Sequence, residues 1–232
     1  MKVSVIIPFK NEKEYAPKTV KAVADYMEEK SVDYEMVAVD DSTDGTFEIL
    51  KALTKTYKNL KVVKGWTPPA YGKAVRRGFA EAKGDILIPF NGDLCDSLDD
   101  VMKYIKVINS GYDMAFGSRY MKGGGFINYP SNKILFSKLG NLFIMLLFRV
   151  RCSDITNTFK GYSRHAYKTI NPQANRYDIG IEMALKGIRA GLKYKTVPIF
   201  WTGRVYGVSK MNVIKSVFSH WKLAMKIFFR IV

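Results

Sequence analysis

Oxygen-bearing side chains stand at the ends of the short apolar runs in this chain. Glu12 follows KVSVIIP, Asp40 and Asp41 close YEMVAVDD, and Asn91 and Asp93 close GDILIPFNGD, with Asp96 and Asp99 close behind. One such acid is an ordinary turn former or helix cap. Several meeting at one edge suit a hard divalent cation with phosphate oxygens attached, and equally suit hydrogen bonds to a ribose and a base.

Periodicity indicates the elements that would bring them together. The three runs above, with LKVVKG and YDMAFGS, are short and apolar, all but the last rich in Val and Ile, and close on turn or acidic residues, which reads as strands. Helical spacing occupies Pro17 to Lys30, Thr46 to Tyr57, Lys73 to Ala82 and Leu98 to Ser110, and Thr43 or Asp44 can cap the second of these. Strand and helix alternate through residue 117. A mainly parallel sheet covered by helices on both faces is therefore expected, with ligands beyond the carboxyl ends of its strands.

With 232 residues, 47% of them apolar, the chain has the length for one hydrophobic core, and no composition shift marks a linker. Cys95 and Cys152, the only cysteines, supply neither a disulfide framework nor a thiolate zinc site. Charge is lopsided: residues 1–113 carry 17 Lys/Arg and 18 Asp/Glu, whereas residues 114–232 carry 20 Lys/Arg against Asp154, Asp178 and Glu182 alone. So basic a half is expected to meet an anion, either a phosphorylated substrate or an acidic membrane surface. It shows no nucleic-acid module, so no specific nucleic-acid partner is expected. There is no G-x-x-x-x-G-K-[ST], Gly123 to Gly125 lack the flanking strand and helix of a dinucleotide fingerprint, and His165 and His220 fall in no ligand or triad spacing. Nucleoside triphosphatases, nicotinamide enzymes and nucleophile-based hydrolases drop out.

IIPFKNE (Ile6 to Glu12), VAVDDSTDGT (Val37 to Thr46), KGDILIPFNGDLCD, GSRY (Gly117 to Tyr120), SDITNTFKGYSR (Ser153 to Arg164) and KYKTVPIFWTGRVYGVSK (Lys193 to Lys210) follow one another in an order that resembles the family 2 glycosyltransferases. Within them the likeness is to the polyprenyl-phosphate sugar transferases of the dolichyl-phosphate mannose synthase type. The resemblance implies a GT-A fold, a Rossmann-like three-layer α/β sandwich over 1–210, with an amphipathic helix over 211–232 belonging to the same unit. It further implies that Pro8, Phe9, Glu12, Val39, Asp40, Asp41, Asn91, Asp93 and Lys210 bind a nucleotide-diphosphate sugar. Asp93 and Asn91 would hold Mg2+ or Mn2+. Arg119, Lys133 and Ser209 would meet an acceptor phosphate, and Asp93, Arg119 and Arg204 would carry catalysis. The chain departs from the pattern in three places. Asn91 replaces the first Asp of D-x-D and offers an uncharged oxygen, Cys95 stands where relatives tend to carry an oxygen ligand, and Lys133 stands where Arg is usual.

The implied reaction moves a hexose, mannose or glucose, with inversion from GDP-mannose or UDP-glucose to a polyprenyl (dolichyl) phosphate at the cytoplasmic face of the membrane. An ionised phosphate nucleophile needs no general base. Two other readings stay open: transfer to a glycan hydroxyl, for which Glu182 is either the base or a loop organiser, and a degenerate nucleotide-sugar-binding module without catalysis. The lipid reading draws on two segments. Leu142 to Phe148 is an apolar stretch too short to span a bilayer. MNVIKSVFSHWKLAMKIFFRIV sets Lys215, Ser219, Lys222, Lys226 and Arg230 along one stripe, with Ile214, Val217, Phe218, Trp221, Met225 and Phe228 over much of the rest. That pattern suits a helix lying among headgroups, so peripheral attachment is expected. YMKGGGFINYPSN reads as a mobile loop that orders when donor binds.

Overall fold

Parallel strands covered on both sides must bury alternate residues in two different cores, and this chain does so. A computed structural model describes residues 1–128, 131–203 and 213–231, and for 131–133 and 213–217 it describes the backbone only. Strands β1 (Val3–Phe9), β2 (Tyr34–Asp40), β3 (Leu60–Lys64), β4 (Ile86–Pro89) and β5 (Met114–Ser118) are the five apolar runs. Between them lie α1 (Ala16–Glu29), α2 (Thr46–Leu53), α3 (Tyr71–Glu81) and α4 (Leu98–Asn109). Val5, Ile7 and Phe9 of β1 pack with Val20 and Met27 of α1 and Tyr104 of α4, whereas Ile6 packs on the opposite side with Val75 and Phe79 of α3.

The second half adds β6 (Gly125–Ile127), α5 (Ser131–Phe148), β7 (Lys160–Ser163), α6 (Arg164–Ile170), α7 (Ile179–Arg189), β8 (Tyr194–Pro198), β9 (Phe200–Thr202) and α8 (Val213–Phe228). The main sheet has seven strands in the order β3-β2-β1-β4-β7-β5-β8, with β7 antiparallel to both neighbours, and β6 and β9 form a small parallel pair. β1 lies between β2 and β4. The chain winds outward from β1 to β3 and then returns to β1's other side, which opens a crevice at the carboxyl edge.

One expectation needs correction. Part of the stretch read as a mobile loop is strand β6, held because Gly125, Phe126 and Ile127 pair with Phe200, Trp201 and Thr202. Among the described side chains of α8, His220, Ala224 and Ile227 face the protein, while Phe218, Met225 and Phe228 of the apolar set are exposed. α8 rests on α5 through Phe143 against Trp221 (4.9 Å between ring centres) and Phe148 against Phe228 (5.7 Å). The outer side of α5 stays bare: Leu135, Phe136, Leu139 and Leu142 are exposed, and Leu146 is 71% exposed. Among the described residues no helix is long and apolar enough to cross a membrane.

Candidate nucleotide-sugar site

Main-chain hydrogen bonds set the acidic strand ends side by side. The Asp41 N–H donates to the Phe9 carbonyl (2.9 Å), the Gly65 N–H to the Asp40 carbonyl (3.1 Å) and the Phe90 N–H to the Ile6 carbonyl (2.8 Å). The turn after β1 is pinned to the turn after β2: the Asn11 N–H donates to Ser42 Oγ (2.7 Å), Asn11 Oδ1 accepts from the Thr43 N–H (2.9 Å), and the Glu12 N–H donates to Thr46 Oγ1 (3.2 Å). Pro8 is half-buried at this edge, while the side chains of Phe9 and Val39 lie in the two cores, so those two offer the edge only main chain.

Asp40 is fully buried. Its Oδ2 accepts from the Ser42 N–H (3.3 Å) and Lys64 Nζ (3.0 Å), but Oδ1 has no hydrogen-bond partner among the described residues. A buried carboxylate oxygen so placed is costly unless a donor reaches it. Burial, and then the charge of Asp40, pushes the Asp41 carboxyl up. A Cβ on Gly65 would stand 2.1 Å from Asp41 Oδ1, so a larger residue there would displace that carboxylate.

The turn after β4 is held by its own polar side chains and by Tyr71, which the sequence did not advertise. Asn91 Nδ2 donates to Asp96 Oδ2 (2.7 Å) and Asn91 Oδ1 accepts from the Tyr71 hydroxyl (3.2 Å). Burial pushes the Tyr71 phenol up, so it remains a donor, which fixes the orientation of the amide. Asp96 is 6% exposed, and burial followed by the charge of Asp93 pushes its carboxyl up to about 7. Asp93 Oδ1 accepts from the Cys95 N–H (3.2 Å), and the Cys95 carbonyl accepts from the Thr202 N–H (3.0 Å), lacing the turn onto β9.

Among the described residues no three His, Cys, Asp or Glu side chains cluster as a ready-made metal cage. The Asp93 carboxylate and the Asn91 amide oxygen are hard donors. They fit a Mg2+ or Mn2+ that takes the rest of its shell from diphosphate oxygens and water. The Cys95 thiol is buried and too soft for that task.

Arg119, at the end of β5, is the expected cation that the described residues place most firmly. Its Nε and Nη2 grip the Asp154 carboxylate at 2.6 and 2.9 Å, and its guanidinium carbon lies 4.9 Å from the Phe126 ring centre. Its charge reaches Asp96, where it opposes the upward push on that carboxyl. Arg204, Ser209 and Lys210 lie outside the described residues, as does the side chain of Lys133. Glu182 stands apart from the strand ends. Buried in α7, it accepts from the Gln173 N–H (2.9 Å), the Ala174 N–H (2.7 Å) and Lys186 Nζ (2.7 Å), which commits it to holding the loop that follows α6.

The chain is 32% identical over 224 residues to the dolichol-phosphate mannosyltransferase of Pyrococcus furiosus, covering 95% of itself and 62% of that protein. It thus spans under two thirds of that relative's length. It is 28% identical over 220 residues to the polyprenol monophosphomannose synthase of Mycolicibacterium smegmatis, covering 90% of itself and 80% of that protein. Among solved structures it matches the glucosyl-3-phosphoglycerate synthase of Mycobacterium tuberculosis with Mn2+, UDP-glucose and phosphoglyceric acid at a TM-score of 0.69 and 16% identity, over 98% of this chain and 79% of that one. It also matches S. aureus TarS with UDP-GlcNAc at a TM-score of 0.63 and 20% identity, over 98% of this chain and 66% of that one. Likeness at such identity shows the fold, and the fold is GT-A. Residues 4–170 match Glycosyl transferase family 2, the same strand-edge region built up above, and the chain belongs to that family.

Proposed function

We propose that this protein transfers a hexose, with inversion, from a nucleotide-diphosphate sugar to a polyprenyl phosphate at a membrane surface. The observation that carries the acceptor assignment is a single ring. Tyr120 has the guanidinium of Arg119 at 5.9 Å and Nζ of Lys138 at 5.6 Å from its centre, so a cation at the strand edge and a cation of α5 share one aromatic neighbour. Lys138 is flanked on α5 by exposed Phe136, Leu139 and Leu142. Two cations at the margin of an apolar helix face suit a phosphate that carries an apolar chain. Exposed Lys222, Lys226 and Arg230 on and just after α8 add attraction for anionic lipid.

In this reading an oxygen of the acceptor phosphate forms the new bond to the anomeric carbon. The bond from that carbon to the donor's diphosphate breaks, and the nucleoside diphosphate leaves with the electron pair. No proton moves. One displacement inverts the anomeric centre, and alignment with charge stabilisation does the work. Asp93 and Asn91 would hold the divalent cation, which supplies charge neutralisation to the diphosphate. Asp40 and Asp41 lie where hydrogen bonds to the nucleoside are wanted. The relatives named for mannose transfer favour GDP-mannose over UDP-glucose as donor. Labelled GDP-mannose and UDP-glucose, incubated with dolichyl or undecaprenyl phosphate and extracted into organic solvent, test the reading. A lipid-linked sugar is expected; label found only on soluble hydroxyl acceptors, or no product from either donor, overturns it.

A further inference from the structure

We propose that Asp154 is the positioning residue of Arg119, presenting its guanidinium to the acceptor phosphate; this rests on the transferase reading above. Asp154 is fully buried, and its carboxylate takes three donors from one residue: the Arg119 main-chain N–H (3.1 Å), Nε (2.6 Å) and Nη2 (2.9 Å). The fork engages two of the five guanidinium N–H donors and fixes the plane of the group, with Phe126 against its face. A free arginine must surrender rotamer freedom to meet a phosphate, whereas this one has already done so.

The segment that carries Asp154 is itself fastened at several points. Ser153 Oγ shares a hydrogen bond with Ser118 Oγ (2.8 Å), beside Arg119. The Thr156 N–H donates to Oδ1 of buried Asn141 on α5 (2.9 Å). Buried Lys160 donates to the carbonyls of Ile155 (3.0 Å) and Asn157. The apolar-faced helix α5 and the arginine at the strand edge are thus tied to the same short segment. A buried ion pair is weak evidence for stability, because desolvation offsets most of its attraction. What it secures here is geometry, at a residue whose charge also reaches Asp96 in the neighbouring turn.

Full-length wild type, Asp154→Asn, Asp154→Glu, Arg119→Ala and the Arg119→Ala/Asp154→Asn double variant are compared in steady state with undecaprenyl phosphate in detergent. Asp154→Asn is expected to raise the acceptor KM by on the order of 10²-fold while the donor Kd, read by calorimetry, stays within about twofold. Asp154→Glu, which keeps the charge and moves it, falls between. In the Arg119→Ala background Asp154→Asn adds nothing further. In wild type, the Nε–H resonance of Arg119 exchanges slowly with solvent and shifts when farnesyl phosphate is added, a readout that needs no variant to fold. An unchanged acceptor KM in folded Asp154→Asn, additive losses in the double variant, or an Arg119 resonance indifferent to farnesyl phosphate overturns the positioning role. A wild type that makes no lipid-linked sugar overturns the transferase reading itself, a separate outcome.

Discussion

The two halves of the molecule use charge in opposite ways. In the first half, the carboxylates of Asp40, Asp41, Asp93 and Asp96 crowd the sheet edge, and a cation such as Lys64 serves to steady one of them. In the second half the roles reverse. Its only three acids all act as fasteners: Asp154 grips Arg119, Glu182 holds the loop after α6 and Lys186, and Asp178 accepts from the Arg176 N–H and Ser219 Oγ. The excess of basic side chains is therefore not an unstructured field. Buried acids fix selected cations in place, carbonyls hold buried Lys160, and Lys138, Lys222 and Lys226 stay on the surface. In the proposed reaction the edge of acids would serve the diphosphate donor, and the apolar, basic surface the lipid phosphate.

The sharpest break in that contrast comes from the acid side. Asp93→Ala is expected to lower kcat/KM by about 10²–10³-fold with little change in Tm, measured by initial rates over a Mn2+ series. Retained activity would show that the edge handles the diphosphate without that carboxylate. The basic side is tested next by replacing Lys222, Lys226 and Arg230 with Gln. At about 1 kcal/mol for each cation, partitioning onto phosphatidylserine vesicles should fall on the order of 10²-fold, with no change on neutral vesicles. Equal binding of wild type to neutral and anionic vesicles would remove electrostatics from the account.

Glu182 separates the lipid-phosphate and hydroxyl-acceptor readings. As a fastener, Glu182→Ala strands two loop amides and a lysine, and it should cost about 3 kcal/mol of stability while leaving the KM of any donor unchanged. A general base would behave in the reverse sense. Turnover on a soluble sugar would vanish in Glu182→Gln with the melting temperature intact.

What the sequence made legible was whatever depended on neighbours along the chain. Each of the five apolar runs became a strand, and the acids at their ends fell at the carboxyl edge, because side-chain alternation and turn chemistry are local. β7 escaped notice because Lys160–Ser163, KGYS, has no apolar run, yet it lies mid-sheet with Lys160 fully buried. Its burial pushes that amine down to about 8, and carbonyls from its own chain satisfy it. Tyr71, Asp96 and Asp154 were missed as members of the site for a related reason. Tyr71 and Asp154 matter through partners 20 and 35 residues away, and Asp96 through its burial, none of which any spacing rule carries. In α8 the outward apolar set of Phe218, Met225 and Phe228 was legible, whereas the inward face of His220, Ala224 and Ile227 was not, because a polar and a small residue leave periodicity little to read.

His220 tests the seating of that helix. Burial, against α7 and β7, drives its imidazole from an ordinary 6.5 down to about 4; the facing charges are Asp178, which opposes the drop, and Lys160, which adds to it. The folded protein therefore keeps the ring neutral while the unfolded chain takes up a proton below about pH 6.5. Stability from this group is intact above pH 6.5 and is lost as pH falls toward 4, amounting to about 2 kcal/mol at pH 5. Thermal unfolding at pH 7.5 and pH 5 should show a smaller acid loss in His220→Phe than in wild type. Asp178 and Lys160 are present in both proteins, so the difference isolates the imidazole. Equal losses would mean that α8 leaves the ring open to water, and that its inner face is not Ala224 and Ile227.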